Sequence, residues 1–217
     1  MFVLKLLTIV LAVIVPAPSP APREPKTIIT VISSPYCKSL AEHFNDALVP
    51  MLANDRTLDR VSVQLDDFNT MFNAPNYVQQ FLHIRDALGR QETELTESLA
   101  AIQREINELR DGSRLTSDPQ AVAQIHKAAQ ELQTAYDHQR QLSIDVQSLY
   151  QTMLQTNPNR FHPTLGGFDP QDMAAPADAR NIKSYLRFNG QRDVISTHED
   201  KAADVALTAA QTYCVPK

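Results

Sequence analysis

The chain has 217 residues, a formal net charge of −5 at pH 7, and 43% hydrophobic against 21% charged residues. This composition is too apolar for a disordered chain, and its acidic balance disfavours a general nucleic-acid-binding protein. With only 5 Gly, the sequence also argues against nucleotide-binding and all-β folds, which need glycine in phosphate loops and tight turns, and it favours long helices.

The N-terminus predicts an export signal. Residues 1–15 are apolar apart from Lys5 and Thr8, which suits the core of a secretory signal and is shorter than the roughly 20 residues that span a bilayer. Residues 16–26 are rich in proline and predict an extended linker. Because proline directly follows each candidate cleavage site, two alternatives stand: the signal is removed, or it stays as a short membrane tether. In the second case this N-terminus is the only part expected to contact a membrane.

The single helical domain that we predict, residues 27–217, holds the only two cysteines, Cys37 and Cys214, near its two ends. In an exported protein such a pair predicts one disulfide bond, and two buried free thiols are the alternative. The bond would close nearly the whole domain into a loop and stabilise it by about 5 kcal/mol at most. It would also place the start of the first helix beside the end of the last.

The first part of this domain predicts a bent amphipathic helix. Residues 26–32 are rich in β-branched side chains and predict a short extended segment, and Ser34 with Pro35 then forms a typical helix start. Apolar residues spaced three and four apart continue to about Phe72, and Pro50 is expected to kink the helix or to end it.

Residues 76–156 predict a long antiparallel coiled-coil hairpin. Its first arm has an apolar residue at every seventh position, and its second arm alternates steps of three and four, which is typical of a coiled-coil seam. Asp111-Gly112 predicts the end of the first arm and Asp118-Pro119 the start of the second, so the short loop between them folds the arms back on each other. The first row is Phe81, Leu88, Leu95, Ile102 and Leu109, and the second is Ala121, Ile125, Ala128, Leu132, Ala135, Gln139, Leu142, Val146, Leu149 and Met153.

Residues 157–178 break the helical pattern with several proline and glycine turn signals and predict an irregular segment. Arg160, His162 and Asp169 fall within it and form a candidate ligand loop, because loops carry functional residues more often than helices do. A connector that crosses the bundle is the alternative.

The C-terminal part predicts two further helices, a short one that ends at Asn189-Gly190 and a last one from about Ser196 to Cys214. The predicted fold class is therefore all-α. We expect an elongated helical bundle built around the hairpin, flanked by N- and C-terminal helices and closed by one disulfide bond.

The sequence contains no motif for catalysis, cofactor binding or metal binding. No glutamate has histidine three residues later, as di-iron bundles require, and there is no H-E-x-x-H, no G-x-S-x-G and no phosphate-cradling glycine loop. The cluster most like a metal site is His198-Glu199-Asp200. We expect its acidic residues to complement the dipole at the start of the last helix instead. We therefore expect no enzyme activity, no cofactor and no metal ion.

The outside of the hairpin suits a protein partner, and a solvated coiled-coil face is the alternative. Residues 76–155 contain seven Lys or Arg, eleven Asp or Glu and thirteen Gln, so their formal charge is 7 − 11 = −4. Such a polar, amide-rich surface favours hydrogen bonds to another protein or to a second copy of the chain, and it is unlike a basic membrane-binding helix.

The layout, an export signal before long Gln-rich helices, resembles that of periplasmic chaperones with coiled-coil arms and of the helical minor-pilus subunits of type IV secretion systems. The likeness extends to no sequence motif, and those chaperones are basic where this chain is acidic. It implies an exported, non-enzymatic protein that acts as a structural subunit, an adaptor or a holdase-like chaperone of the periplasm or cell surface. One alternative is a ligand-binding helical bundle with its site in residues 157–178. A third hypothesis is an enzyme that uses Arg160, His162 and Asp169.

Overall fold

The computed structural model describes residues 34–71, 74–158 and 175–214, and in these ranges the chain is helical and contains no strand. The elements are α1 (Pro35–Met71), α2 (Tyr77–Asp111), a 3-10 turn (Gly112–Leu115), α3 (Pro119–Gln155) and α4 (Ala175–Tyr213). The predicted all-α class, with bundle-like packing of the helices, is confirmed. The predicted signal, the proline-rich linker and the extended segment 26–32 lie outside the described residues.

The chain divides into two compact units, and each helix contributes to both. Unit 1 comprises Met1–Met51, Ala100–Asp137 and Val194–Lys217, and unit 2 comprises Leu52–Leu99 and His138–Asp193. No helix within the described ranges combines the length and the hydropathy that a membrane-spanning segment requires.

Two helix starts predicted from the sequence are confirmed by hydrogen bonds from backbone N–H groups to side-chain oxygens. Oγ of Ser34 accepts a hydrogen bond from the N–H of Cys37 (3.1 Å), and Oδ1 of Asp118 accepts from the N–H groups of Gln120 (2.8 Å) and Ala121 (3.3 Å). These side chains satisfy N–H groups that a helix start leaves without an internal acceptor. α2 ends at Asp111, directly before Gly112, as predicted.

The proline within the first helix does not end it. α1 continues through Pro50, although proline removes one helical hydrogen bond and costs about 3 kcal/mol in a helix interior. Leu48 and Met51, on either side of the proline, are 4% and 0% exposed. Burial of this apolar face offsets the lost hydrogen bond, so the two predicted halves form one helix.

α2 and α3 pack antiparallel within each unit. In unit 1, Gln103 on α2 and Gln133 on α3 exchange two side-chain hydrogen bonds of 2.9 and 3.0 Å. In unit 2, Nε2 of Gln147 on α3 donates to Glu92 on α2 (3.2 Å). Every residue of both predicted seam rows is buried. The seam assignment is therefore confirmed, including Gln139, its one polar member.

The last helix differs from the prediction. α4 is continuous from Ala175 to Tyr213, so the predicted break at Asn189-Gly190 and the helix start near Ser196 are wrong. A glycine costs a helix only about 1 kcal/mol, which neighbouring helical turns outweigh. The helix also begins before residue 178, where the irregular segment was expected to end, and residues 159–174 lie outside the described part of the chain.

The continuity of α4 also overturns the explanation of the cluster His198-Glu199-Asp200. These residues lie in the interior of the helix rather than in its first turn, so they do not complement the dipole of a helix start.

A disulfide bond joins Cys37 at the start of α1 to Cys214 after the end of α4, with their Cα atoms 5.6 Å apart. Beside it, the rings of Tyr36 and Tyr213 meet edge to face with centroids 6.2 Å apart, and the Tyr36 hydroxyl donates to the carbonyl of Ala121 on α3 (3.1 Å). The predicted pairing of the first and last helices in unit 1 is therefore confirmed.

A first prediction concerns the close approach at Gly112. A Cβ atom there would lie 2.3 Å from Oγ of Ser39 and 3.3 Å from Cδ1 of Ile125. We expect Gly112→Ala to lower the free energy of unfolding by about 1–3 kcal/mol because the added methyl group overpacks unit 1. Urea unfolding followed by circular dichroism measures the change, and Ser39→Ala in the same chain should restore part of the loss.

Gly190 is the matched control. A Cβ atom there meets nothing within 4 Å, so Gly190→Ala should raise the free energy of unfolding by up to about 1 kcal/mol through helix propensity alone. A Gly112→Ala variant that is as stable as the parent chain would contradict the predicted contact.

A second prediction concerns alkaline pH. Burial raises the pKa of Tyr36 to about 12, with smaller contributions from Tyr213 and Asp118. The folded chain holds this phenol proton more tightly than the unfolded chain, whose tyrosines titrate near pH 10. The stabilising contribution is therefore complete below about pH 10 and is lost as the pH rises towards about 12.

We expect the free energy of unfolding of the parent chain to fall more steeply between about pH 10 and 12 than that of Tyr36→Phe. Urea unfolding at a series of pH values gives the two slopes. Equal slopes would show that the Tyr36 phenol is not protected in the fold.

Candidate functional site

The structure describes some of the predicted site residues and not others. Cys37 and Cys214 are brought together as described above. The candidate ligand loop with Arg160, His162 and Asp169 lies outside the described residues. The candidate sites described here are a buried polar layer in unit 2, two histidine–carboxylate pairs in unit 1, and one exposed face of α3.

A chain of buried hydrogen bonds ties three helices together in unit 2. Oγ of Ser98 on α2 donates to Oδ1 of Asn54 on α1 (2.8 Å), and Nδ2 of Asn54 donates to Oε1 of Gln139 on α3 (3.3 Å). Nε2 of Gln139 then donates to Oδ1 of Asp55 on α1 (2.9 Å). Asn54 and Gln139 are 4% and 1% exposed, so the layer lies inside the core.

A second set of polar contacts lies one helical turn away. Oγ1 of Thr57 on α1 donates to Oε2 of Glu94 on α2 (3.1 Å), and Arg60 forms an ion pair with the same carboxylate. Thr57 is buried, whereas Arg60 and Glu94 are about half exposed, so this set connects the core to the surface.

Buried polar side chains in a helical seam specify which residues face each other, because a shifted register would leave them without partners. Here the side-chain amides of Asn54 and Gln139 each donate one hydrogen bond and accept another, so both groups would lose partners in a shifted register. We therefore assign this layer a role in specifying helix register.

The sequence contained a signal for part of this layer. Positions 51, 54, 58 and 61 follow the same three-and-four spacing as the apolar face of α1, so Asn54 was recognisable as a polar residue on a buried face. The contact between Asn54 and Gln139 was not recognisable from the sequence, since the two residues lie 85 positions apart in the chain.

Two histidines in unit 1 pair with carboxylates on neighbouring helices. Nδ1 of His43 on α1 lies 2.9 Å from Glu105 on α2, and Nδ1 of His198 on α4 lies 2.5 Å from Glu131 on α3. The hydrogen bond from His43 and the neighbouring Arg104 guanidinium lower the pKa of Glu105 against the opposing effect of burial. Each pair joins two helices.

No group of three or more metal-ligating side chains comes together among the described residues. A polar groove of about 520 Å³ in unit 2 is lined by Asp67, Asn76, Gln79, Gln80, His83 and Ile84. Most of these side chains are exposed, and Gln80 donates to Asn76 within the lining (3.1 Å). This groove therefore lacks the buried, convergent polar groups of a typical small-molecule site.

In unit 2, α3 has an exposed face that carries both polar and aliphatic side chains. This face, called the outer face of α3, consists of residues at spacings of three and four: Arg140, Gln141, Ile144, Gln147, Gln151 and Leu154. Ile144 and Leu154 are 45% and 46% exposed, although large aliphatic residues are usually buried. Of the thirteen glutamines between residues 76 and 155, only Gln91 and Gln139 are buried.

Comparison of the chain with protein-family models, with curated proteins and with solved structures finds no match.

A third prediction tests the buried polar layer with side chains of similar shape. Gln139→Met removes the acceptor for Nδ2 of Asn54 and the donor to Asp55, and we expect it to lower the free energy of unfolding by about 1–3 kcal/mol. Asn54→Leu combined with Gln139→Met removes both amides, so the double variant should recover much of that loss.

A double-mutant cycle by urea unfolding measures the coupling between the two amides. Two single variants whose losses simply add, with no recovery in the double variant, would show that Asn54 and Gln139 do not depend on each other.

Proposed function

We propose that this chain is an exported, non-enzymatic helical protein that acts by binding another protein or a second copy of itself, as a structural subunit, an adaptor or a holdase-like chaperone of the periplasm or cell surface. The observation that carries the proposal is the outer face of α3, where two half-exposed aliphatic side chains stand among glutamines.

The chemistry of this face suits a protein partner. Ile144 and Leu154 offer apolar anchors, and the glutamines around them offer neutral groups that both donate and accept hydrogen bonds. Protein–protein interfaces combine apolar contacts with side-chain hydrogen bonds in this way. With Arg140 as its one cation, the face lacks the clustered positive charge that nucleic acids or anionic lipid surfaces attract.

Export is supported by two independent features. Residues 1–15 have the apolar character of a secretory signal, and the Cys37–Cys214 bond is of a kind that persists mainly in oxidising compartments. Removal of the signal and its retention as a tether remain the two alternatives, and the intact mass of the protein recovered from cells distinguishes them.

A fourth prediction follows from the outer face of α3. We expect a photoreactive phenylalanine analogue at Gln151 to crosslink the chain to a partner protein or to a second copy in cells that export it. Ile144→Asp combined with Leu154→Asp should lower the crosslinking yield by about tenfold or more, the size expected for loss of interface anchors. Both side chains are about half exposed, so circular dichroism should remain unchanged.

Val63→Asp is the matched control, because Val63 is 55% exposed and lies on α1 of the same unit. It should leave the yield unchanged. The proposal fails if the double variant crosslinks as well as the parent chain, or if the probe at Gln151 yields no more product than the same probe at the exposed Arg56.

A further inference from the structure

α4 contributes less apolar surface to unit 1 than α1 does. Its residues 194–213 bury one large apolar side chain, Ile195, and otherwise bury alanines. The α1 residues of the same unit bury Tyr36, Leu40, Phe44, Leu48 and Met51. Because hydrophobic stabilisation scales with the apolar area removed from water, this part of α4 gains less from packing than the unit 1 part of α1 does.

Acidic residues add a desolvation cost to this stretch of α4. Glu199 is 2% exposed, and burial together with Asp204 raises the pKa of the neighbouring Asp200 carboxyl group. Moving a carboxylate out of water is unfavourable, and its contacts in the fold must first offset that desolvation.

The contacts that join these α4 residues to other helices of unit 1 include an ion pair, a ring contact and the disulfide. His198 pairs with Glu131 on α3, the ring of Tyr213 meets that of Tyr36 on α1, and Cys214 is bonded to Cys37. The ring contact and the disulfide lie side by side at the C-terminal end of α4. Away from this end, the attachment of α4 includes the His198–Glu131 pair and a buried apolar face that consists mostly of alanines.

We propose that the Cys37–Cys214 bond is a redox-controlled latch, and that its reduction releases residues 194–213 of α4 while the unit 1 parts of α1, α2 and α3 stay packed. Release would uncover Tyr36 and Cys37, which are 4% and 3% exposed when the bond is intact. The inference concerns only the attachment of α4 and does not depend on the binding role of the α3 face.

The reaction is thiol–disulfide exchange with a dithiol reductant. One thiolate of the reductant attacks Sγ of Cys214, the more exposed residue of the pair, and the sulfur of Cys37 leaves as a thiolate. The second thiolate of the reductant then displaces Cys214 from the mixed disulfide. The reductant becomes a cyclic disulfide, and its two electrons and two protons end on the two cysteines.

Hydrogen–deuterium exchange of the full chain tests the latch, a fifth prediction. After reduction with dithiothreitol we expect amides of residues 194–213 to exchange about tenfold faster or more, while residues 35–51, 100–111 and 119–137 change by less than about twofold. Reoxidation should restore slow exchange. The variant Cys37→Ser combined with Cys214→Ser should reproduce the reduced pattern without any reductant.

His198→Ala, kept oxidised, is the control, because it removes the contact to Glu131 and leaves the disulfide in place. It should keep residues 194–213 slow to exchange. Three results would overturn the latch: no change on reduction, an equal acceleration in all four segments, which would mean cooperative loss of unit 1, or full release of α4 in oxidised His198→Ala.

Discussion

The antiparallel packing of α2 against α3 is the contact on which the rest of the fold depends. Leu95, Ile102, Leu132 and Leu142 are 0–1% exposed, and two helices alone cannot enclose side chains so completely. α1 therefore packs large residues against the hairpin in both units, with Phe44 and Met51 in unit 1 and Leu58 and Val61 in unit 2. The heptad spacing thus dictates both the hairpin and the need for further helices to cover it.

Polar side chains then select one arrangement of these helices. An apolar seam with small residues tolerates neighbouring registers, since alanines such as Ala128 and Ala135 fit many positions. The hydrogen-bonded amides of Asn54 and Gln139 exist in one register only, because a shifted helix would bury them without partners. Burial of these amides thus costs some stability and specifies a unique pairing of α1, α2 and α3 in unit 2.

The binding role proposed for α3 and the release proposed for α4 require opposite strengths of helix packing. In unit 2, α3 is held by five buried seam residues, and such packing favours a preorganised outer face, which would lower the entropy lost on binding. The unit 1 part of α4 has one large buried side chain and a covalent bond, so its attachment can depend on the redox state. Strong packing suits a recognition surface, and weak packing suits an element that is released.

The sequence by itself determined the all-α class, the start of α1 at Pro35, the loop between Asp111 and Asp118, the seam residues and the cysteine pairing. Those features depend on local spacing, on capping side chains and on there being only two cysteines to pair. Tertiary structure alone decided that α4 runs through Gly190 and that His198 lies mid-helix against Glu131. It also decided which residues Asn54 and His43 contact, because those partners lie 44 to 85 residues away. No local pattern encodes such pairings, since they arise only when distant helices pack.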